Sequence, residues 1–184
     1  GRMIEKKNVN KTYTQALRDP RVWVLFVIYG ASFGIELTVN NVAALYFIDY
    51  FDLTLVTAGL VAASFGLMNL FARTLGGIFG DNFGALWGLR GRSFWLFICL
   101  LFEGIALMIF SQMQVLFLAI PSLIVFSLFT QMAEGATYSV VPFINKKALG
   151  AVAGVVGAGG NAGAVLAGFL FKNMIDWSEA FFIL

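Results

Sequence analysis

Five stretches of the chain, at about 22–48, 55–80, 94–110, 115–143 and 149–171, are apolar almost without interruption, and short polar segments divide them. A helix needs roughly 20 mostly apolar residues to cross the hydrocarbon of a bilayer. The third run is the shortest, but its flanks can extend it. Helices of soluble bundles set an apolar stripe against a polar face, whereas these runs are apolar nearly all round. The pattern predicts an all-α membrane protein with about five transmembrane helices. A sixth apolar run begins near Ala180 and the sequence stops at Phe181-Phe182-Ile183-Leu184, while Gly1 to Arg21 is polar and basic with no signal-peptide pattern. The sequence therefore reads as a piece of a longer polypeptide: a cytoplasmic linker over 1–21 and a partial transmembrane bundle over 22–184.

The polar segments assign an orientation. Arg2, Lys6, Lys7, Lys11, Arg18 and Arg21 precede the first run, Arg90 and Arg92 follow the second, and Lys146 and Lys147 follow the fourth. The alternate segments hold Asp49 and Asp52, then the uncharged 111–114, then Lys172 with Asp176 and Glu179. Ten of the 12 basic residues thus fall on one side, which the positive-inside rule makes cytoplasmic.

Composition agrees with this reading. Apolar residues make up 60% of the 184 positions and charged residues 12%, against about 45–50% and about 25% in soluble domains. A net charge of +2 is too small to suggest nucleic acid. The chain has no histidine, which removes the commonest general base and metal ligand. Cys99 lies within an apolar run and cannot form an internal disulfide, so it is read as a small packing residue. No nucleophile–base pair, metal cluster or cofactor motif is visible, and an enzyme is the weakest reading.

Ionisable residues inside a span are costly and each needs a reason. Arg73 is the single charge of its run. It either snorkels toward the cytoplasmic boundary or binds an anion, for which its permanent charge and planar fork suit a flat oxyanion. Glu36, Glu103 and Glu134 are the buried acids, with Asn40 and Asn41 near the first. Any of them could pair with Arg73, relay protons or bond a neighbouring helix; packing is favoured for Glu103, and a coupling role for Glu36 stands even with packing. Tyr29 and Phe33, four apart, share a helix face; they either pack or sandwich a flat ligand. In the last run Gly150, Gly154, Gly157, Asn161, Ala164 and Gly168 fall on one face, and Gly159 and Gly163 on the other. Two small-residue faces predict a helix squeezed between neighbours beside a polar cavity. On size alone, leucine at Gly160 or Gly163 should block the approach and alanine should be milder.

Several of these residues carry a resemblance. Gly76-Gly77-Ile78-Phe79-Gly80-Asp81-Asn82-Phe83-Gly84 followed by Arg90-Gly91-Arg92 resembles the loop motif of the major facilitator superfamily, with extra residues before the arginines. Val141 to Gly150, running into Gly157-Ala158-Gly159-Gly160-Asn161-Ala162-Gly163, resembles the second nitrate signature of the nitrate/nitrite porter family. Tyr29 to Thr38 resembles that family's seventh helix and Phe65 to Gly77 its eighth. The wording is most similar to the high-affinity type of plants, algae and cyanobacteria.

The resemblance implies helices seven to eleven of twelve, in a secondary active transporter of nitrate, with nitrite as a second substrate. It implies proton symport by alternating access at the plasma membrane, in partnership with the N-terminal half of the same transporter. Arg73 would match the second of two nitrate-clamping arginines, the first lying outside this chain. Tyr29 and Phe33 would match the aromatics lining the site. Asn161 with Gly160 and Gly157 would match the signature helix beside it, and Glu36 would be the proton-coupling residue. Nitrate is flat, monovalent and a weak hydrogen-bond acceptor, so a permanent cation, flat walls and close backbone approach suit it. Alternatives are a major facilitator carrying another small anion and a non-transporting nitrate sensor.

Overall fold

The computed structural model describes residues 12–173 and 176–184. Its helices are α1 (Pro20–Phe51), α2 (Leu55–Leu67), α3 (Ala72–Trp87), α4 (Leu89–Ser111), α5 (Leu116–Val140), α6 (Leu149–Asn173) and α7 (Trp177–Ile183). Five stretches are long and apolar enough to cross a membrane: α1, α2 with α3, α4, α5 with the turn after it, and α6 with the turn before it. The predicted sixth run is the short α7. Of the expected linker, residues 1–11 lie outside the described residues. Residues 12–18 are helical and bury Ala16 in the core, so that part of the linker is docked.

Local chemistry sets the boundaries. Asp19 caps α1 by accepting from the Arg21 backbone N–H at 3.0 Å, and Pro20 occupies the first turn, where no donor is needed. The Arg21 guanidinium also bonds Asp19, at 2.7 Å, holding that carboxyl below the usual carboxylate range. The same guanidinium donates to the Ile144 carbonyl at 3.1 Å, tying the start of α1 to the loop before α6. Asp52 ends α1 in the left-handed region (φ 57°), which a short polar side chain tolerates. Gly88 turns the chain between α3 and α4 at φ 62°, where a side chain would be strained. Asn145 accepts from the Lys147 and Ala148 N–H groups at 3.1 and 3.2 Å and starts the turn into α6.

Packing is closest where α1 meets α6. A Cβ on Gly163 would stand 2.1 Å from the Gly30 carbonyl oxygen, and one on Gly159 would stand 2.2 Å from that of Phe26. The obstacle is backbone, which cannot swing aside. Alanine at Gly163 would therefore clash as well, so being milder than leucine does not make it harmless. The Gly159 and Gly163 face of α6 is the one that packs. On the opposite face Gly150, Gly154, Asn161 and Gly168 are exposed, while Gly157 and Ala164 are half-buried. Among the described residues α1 covers the first face closely, and on the second only Gly157 is tightly approached, by Tyr138 of α5.

Two apolar clusters fill the bundle. One gathers Tyr29, Ala72, Leu96, Ala136 and Val152; the other is aromatic, with Tyr46, Phe47, Phe65, Phe110, Phe126 and Phe181. A polar ladder on α5 is fully buried: Ser127, Thr130, Gln131, Glu134 and Thr137. The exposed surface carries large apolar residues such as Val27, Leu60, Leu70, Phe117 and Leu166, as a lipid-facing wall requires.

Candidate functional site

The second span is not one helix. Between α2 and α3 the chain takes a 3-10 turn at Met68–Leu70 and an irregular step at Phe71 (φ −132°). A break at membrane depth strands carbonyls that need donors. The Phe65 carbonyl accepts from Ser127 Oγ at 2.6 Å and from Gln131 Nε2 at 3.0 Å, which gives the upper half of the α5 ladder its purpose. No side chain caps the start of α3, so the positive end of its dipole lies at Ala72, beside Arg73.

Arg73 leaves the first turn of α3 toward α5, which approaches closely because residue 135 is glycine. A Cβ there would stand 1.9 Å from the Arg73 carbonyl oxygen. The adjacent Glu134, fully buried, pairs with the Arg73 guanidinium. Glu36 of α1 pairs with the same nitrogen at 2.9 Å, and Asn69 Nδ2 donates to its other oxygen at 2.9 Å. Among the three acids left open by the sequence, the structure thus brings Glu36 and Glu134 to Arg73. It leaves Glu103 on α4, buried, with neither oxygen hydrogen-bonded among the described residues.

Phe33 lies under the guanidinium, 5.6 Å from ring centroid to Cζ. Tyr29 stacks on Phe33 at 5.1 Å with an interplanar angle of 8°. That spacing closes the gap between the rings, so the pair forms a wall and not a sandwich. Tyr138 of α5 meets Tyr29 edge-on at 5.1 Å. A Cβ at Gly160 would lie 2.3 Å from the Phe33 ring, and one at Gly157 would lie 3.3 Å from the Tyr138 hydroxyl. These two glycines set the positions of the aromatic wall. Asn161 is exposed, one turn beyond Gly157 on the same face.

Arg73, at 36% side-chain exposure, opens onto a groove of about 590 Å³ lined by Asn69, Thr74, Gly77, Gly135, Tyr138 and Phe143. Its far end is the pair of Asp81 with Arg92. Arg92 also donates to the Ser139 carbonyl at 3.2 Å and lies over the Phe143 ring at 4.4 Å. Sequence reasoning missed Tyr138 and the role of Asn69. Tyr138 stands in no charged or glycine-rich motif, while Asn69, a polar residue four before Arg73 in the Phe65 to Gly77 segment, was a usable signal.

The spans and the intramembrane ion cluster define an all-α, multi-pass membrane protein. No family profile matches the chain, and no solved structure matches it. Curated relatives do. The chain is 45% identical over 167 residues to the high affinity nitrate transporter 2.5 of Arabidopsis thaliana, covering 91% of this chain and 33% of that protein. It is 41% identical over 179 residues to nitrate transporter 2.2 of Chlamydomonas reinhardtii, covering 96% and 35%. It is 33% identical over 148 residues to the nitrate/nitrite transporter NrtP of a Picosynechococcus strain, covering 79% and 27%. Along nearly its whole length the chain is homologous to high-affinity nitrate transporters and to NrtP nitrate/nitrite transporters. It spans about a third of the length of the relatives it matches first.

Proposed function

We propose that this chain is the C-terminal bundle of a secondary active nitrate transporter, taking nitrite as a second substrate. Arg73 binds the anion, with Phe33 and Tyr29 as a flat wall and Asn161, Gly160 and Gly157 as the adjoining helix. The N-terminal half of the same transporter supplies the other side of the site. Transport is proton-coupled symport by alternating access across the plasma membrane.

The observation that carries this reading is the permanent cation at a helix break, half-open to a polar groove and braced by buried acids. Helix breaks at membrane depth put a helix's positive end and free backbone donors within reach of an anion. The guanidinium offers parallel donors to a planar oxyanion. The two acids supply groups able to exchange protons. The relatives are nitrate and nitrate/nitrite transporters by name, which supports the substrate. The test is nitrate uptake by the full-length protein in proteoliposomes under an imposed pH gradient. Saturable, gradient-driven uptake is expected. Uptake of phosphate or an organic anion in its place would assign another cargo, and nitrate binding without flux would make the protein a sensor.

A further inference from the structure

Building on the nitrate-transport reading, we infer that Glu134, and not Glu36, is the carboxyl that takes up the proton accompanying the anion. The two acids share one guanidinium but are held differently. Both oxygens of Glu36 accept, Oε1 from Asn69 and Oε2 from Arg73, each at 2.9 Å. That arrangement suits an ionised carboxylate, which only accepts. Glu134 has Arg73 on Oε2, while Oε1 is buried and meets no donor among the described residues. Leaving a buried oxygen of an ionised group unpaired is costly. The groups facing Glu134 are Arg73 from α3, Glu36 and Tyr29 from α1, and Glu103 from α4. Among these Arg73 is the sole cation.

Charge then fixes the order of events. With both acids ionised, the Arg73 cluster carries one net negative charge, and an incoming anion would double it. A proton from the aqueous side forms an O–H on Glu134, and the guanidinium N–H that served that carboxylate turns to the anion in the groove. Asn69 keeps Glu36 in place meanwhile. When the O–H ionises toward the opposite compartment, Glu134 recaptures the guanidinium and the anion leaves. Every proton taken up is given back.

Nitrate binding to the purified full-length transporter, measured across a pH series, tests this. In the parent protein the half-saturating nitrate concentration should rise with pH, approaching about tenfold per pH unit once the binding-competent, protonated form is scarce. Glu134→Gln should flatten that slope. Glu36→Gln should keep it, and Glu134→Asp, which retains a carboxyl at shorter reach, should keep it with a displaced midpoint. A slope that survives in Glu134→Gln, or is lost in Glu36→Gln, overturns the assignment. Should Glu134→Gln fail to fold, the aspartate variant decides, since a midpoint equal to the parent's would overturn it. Saturable nitrate binding that is simply insensitive to pH in the parent removes the proton assignment but leaves nitrate as cargo. Absence of nitrate binding at every pH removes the transport reading itself.

Discussion

Arg73 does two things that pull apart under substitution. It neutralises Glu36 and Glu134, and it presents guanidinium nitrogens to the groove. Removing a partner from a buried ion pair costs about 3–5 kcal/mol, because the remaining charge stays buried, so truncation to alanine would confuse unfolding with loss of function. Arg73→Lys keeps the charge and loses the planar fork. In the full-length protein we predict normal membrane insertion with nitrate uptake lowered at least about tenfold, equivalent to about 1.4 kcal/mol of lost binding. Unchanged half-saturation in the lysine variant would reduce Arg73 to a brace. The residue type, its depth and the aromatic pair four apart were legible in the sequence. The partners were not, because Glu36 and Glu134 lie 37 and 61 positions away and helix periodicity relates only near neighbours.

The element that departs most from its sequence pattern is the second span. Residues 55–80 are mostly apolar and hold neither proline nor charge before Arg73, so the pattern predicts one helix. At the break over Met68–Phe71 the Phe65 carbonyl takes its donors from Ser127 and Gln131 of α5. Tertiary hydrogen bonds of this kind can outweigh local propensity. Replacing both, as Ser127→Ala with Gln131→Leu, should leave that buried carbonyl unsatisfied and cost about 1–3 kcal/mol. A lowered melting temperature of the purified protein would register it, and an unchanged one would mean the break is intrinsic to the segment. In α6, by contrast, the small-residue spacing foretold close approach, but not that the obstacle is backbone. Gly163→Ala should therefore reduce the yield of folded transporter severely, with Gly160→Ala milder because the Phe33 ring can shift. Equal yields for Gly163→Ala and the parent in size-exclusion profiles would contradict the geometry.

For the whole molecule, the asymmetry of basic residues predicts which ends of the helices face the cytoplasm. Single cysteines can check it, since Cys99 is buried and contributes little background. Asp52→Cys should react with an impermeant maleimide in intact cells, and Lys147→Cys only after permeabilisation; the reverse pattern would invert the topology. The number and extent of the spans followed from the apolar runs because hydrocarbon thickness sets helix length directly. The relation of the spans to one another rests on contacts that sequence spacing does not encode. Two acids on one guanidinium have a last consequence, in terms of voltage. If one proton accompanies each nitrate, the cargo is neutral, the membrane potential does no work on the cycle and accumulation follows the pH difference alone. If Glu36 also took up a proton, the cargo would bear one positive charge, and each 100 mV, negative inside, would contribute about 2.3 kcal/mol to uptake.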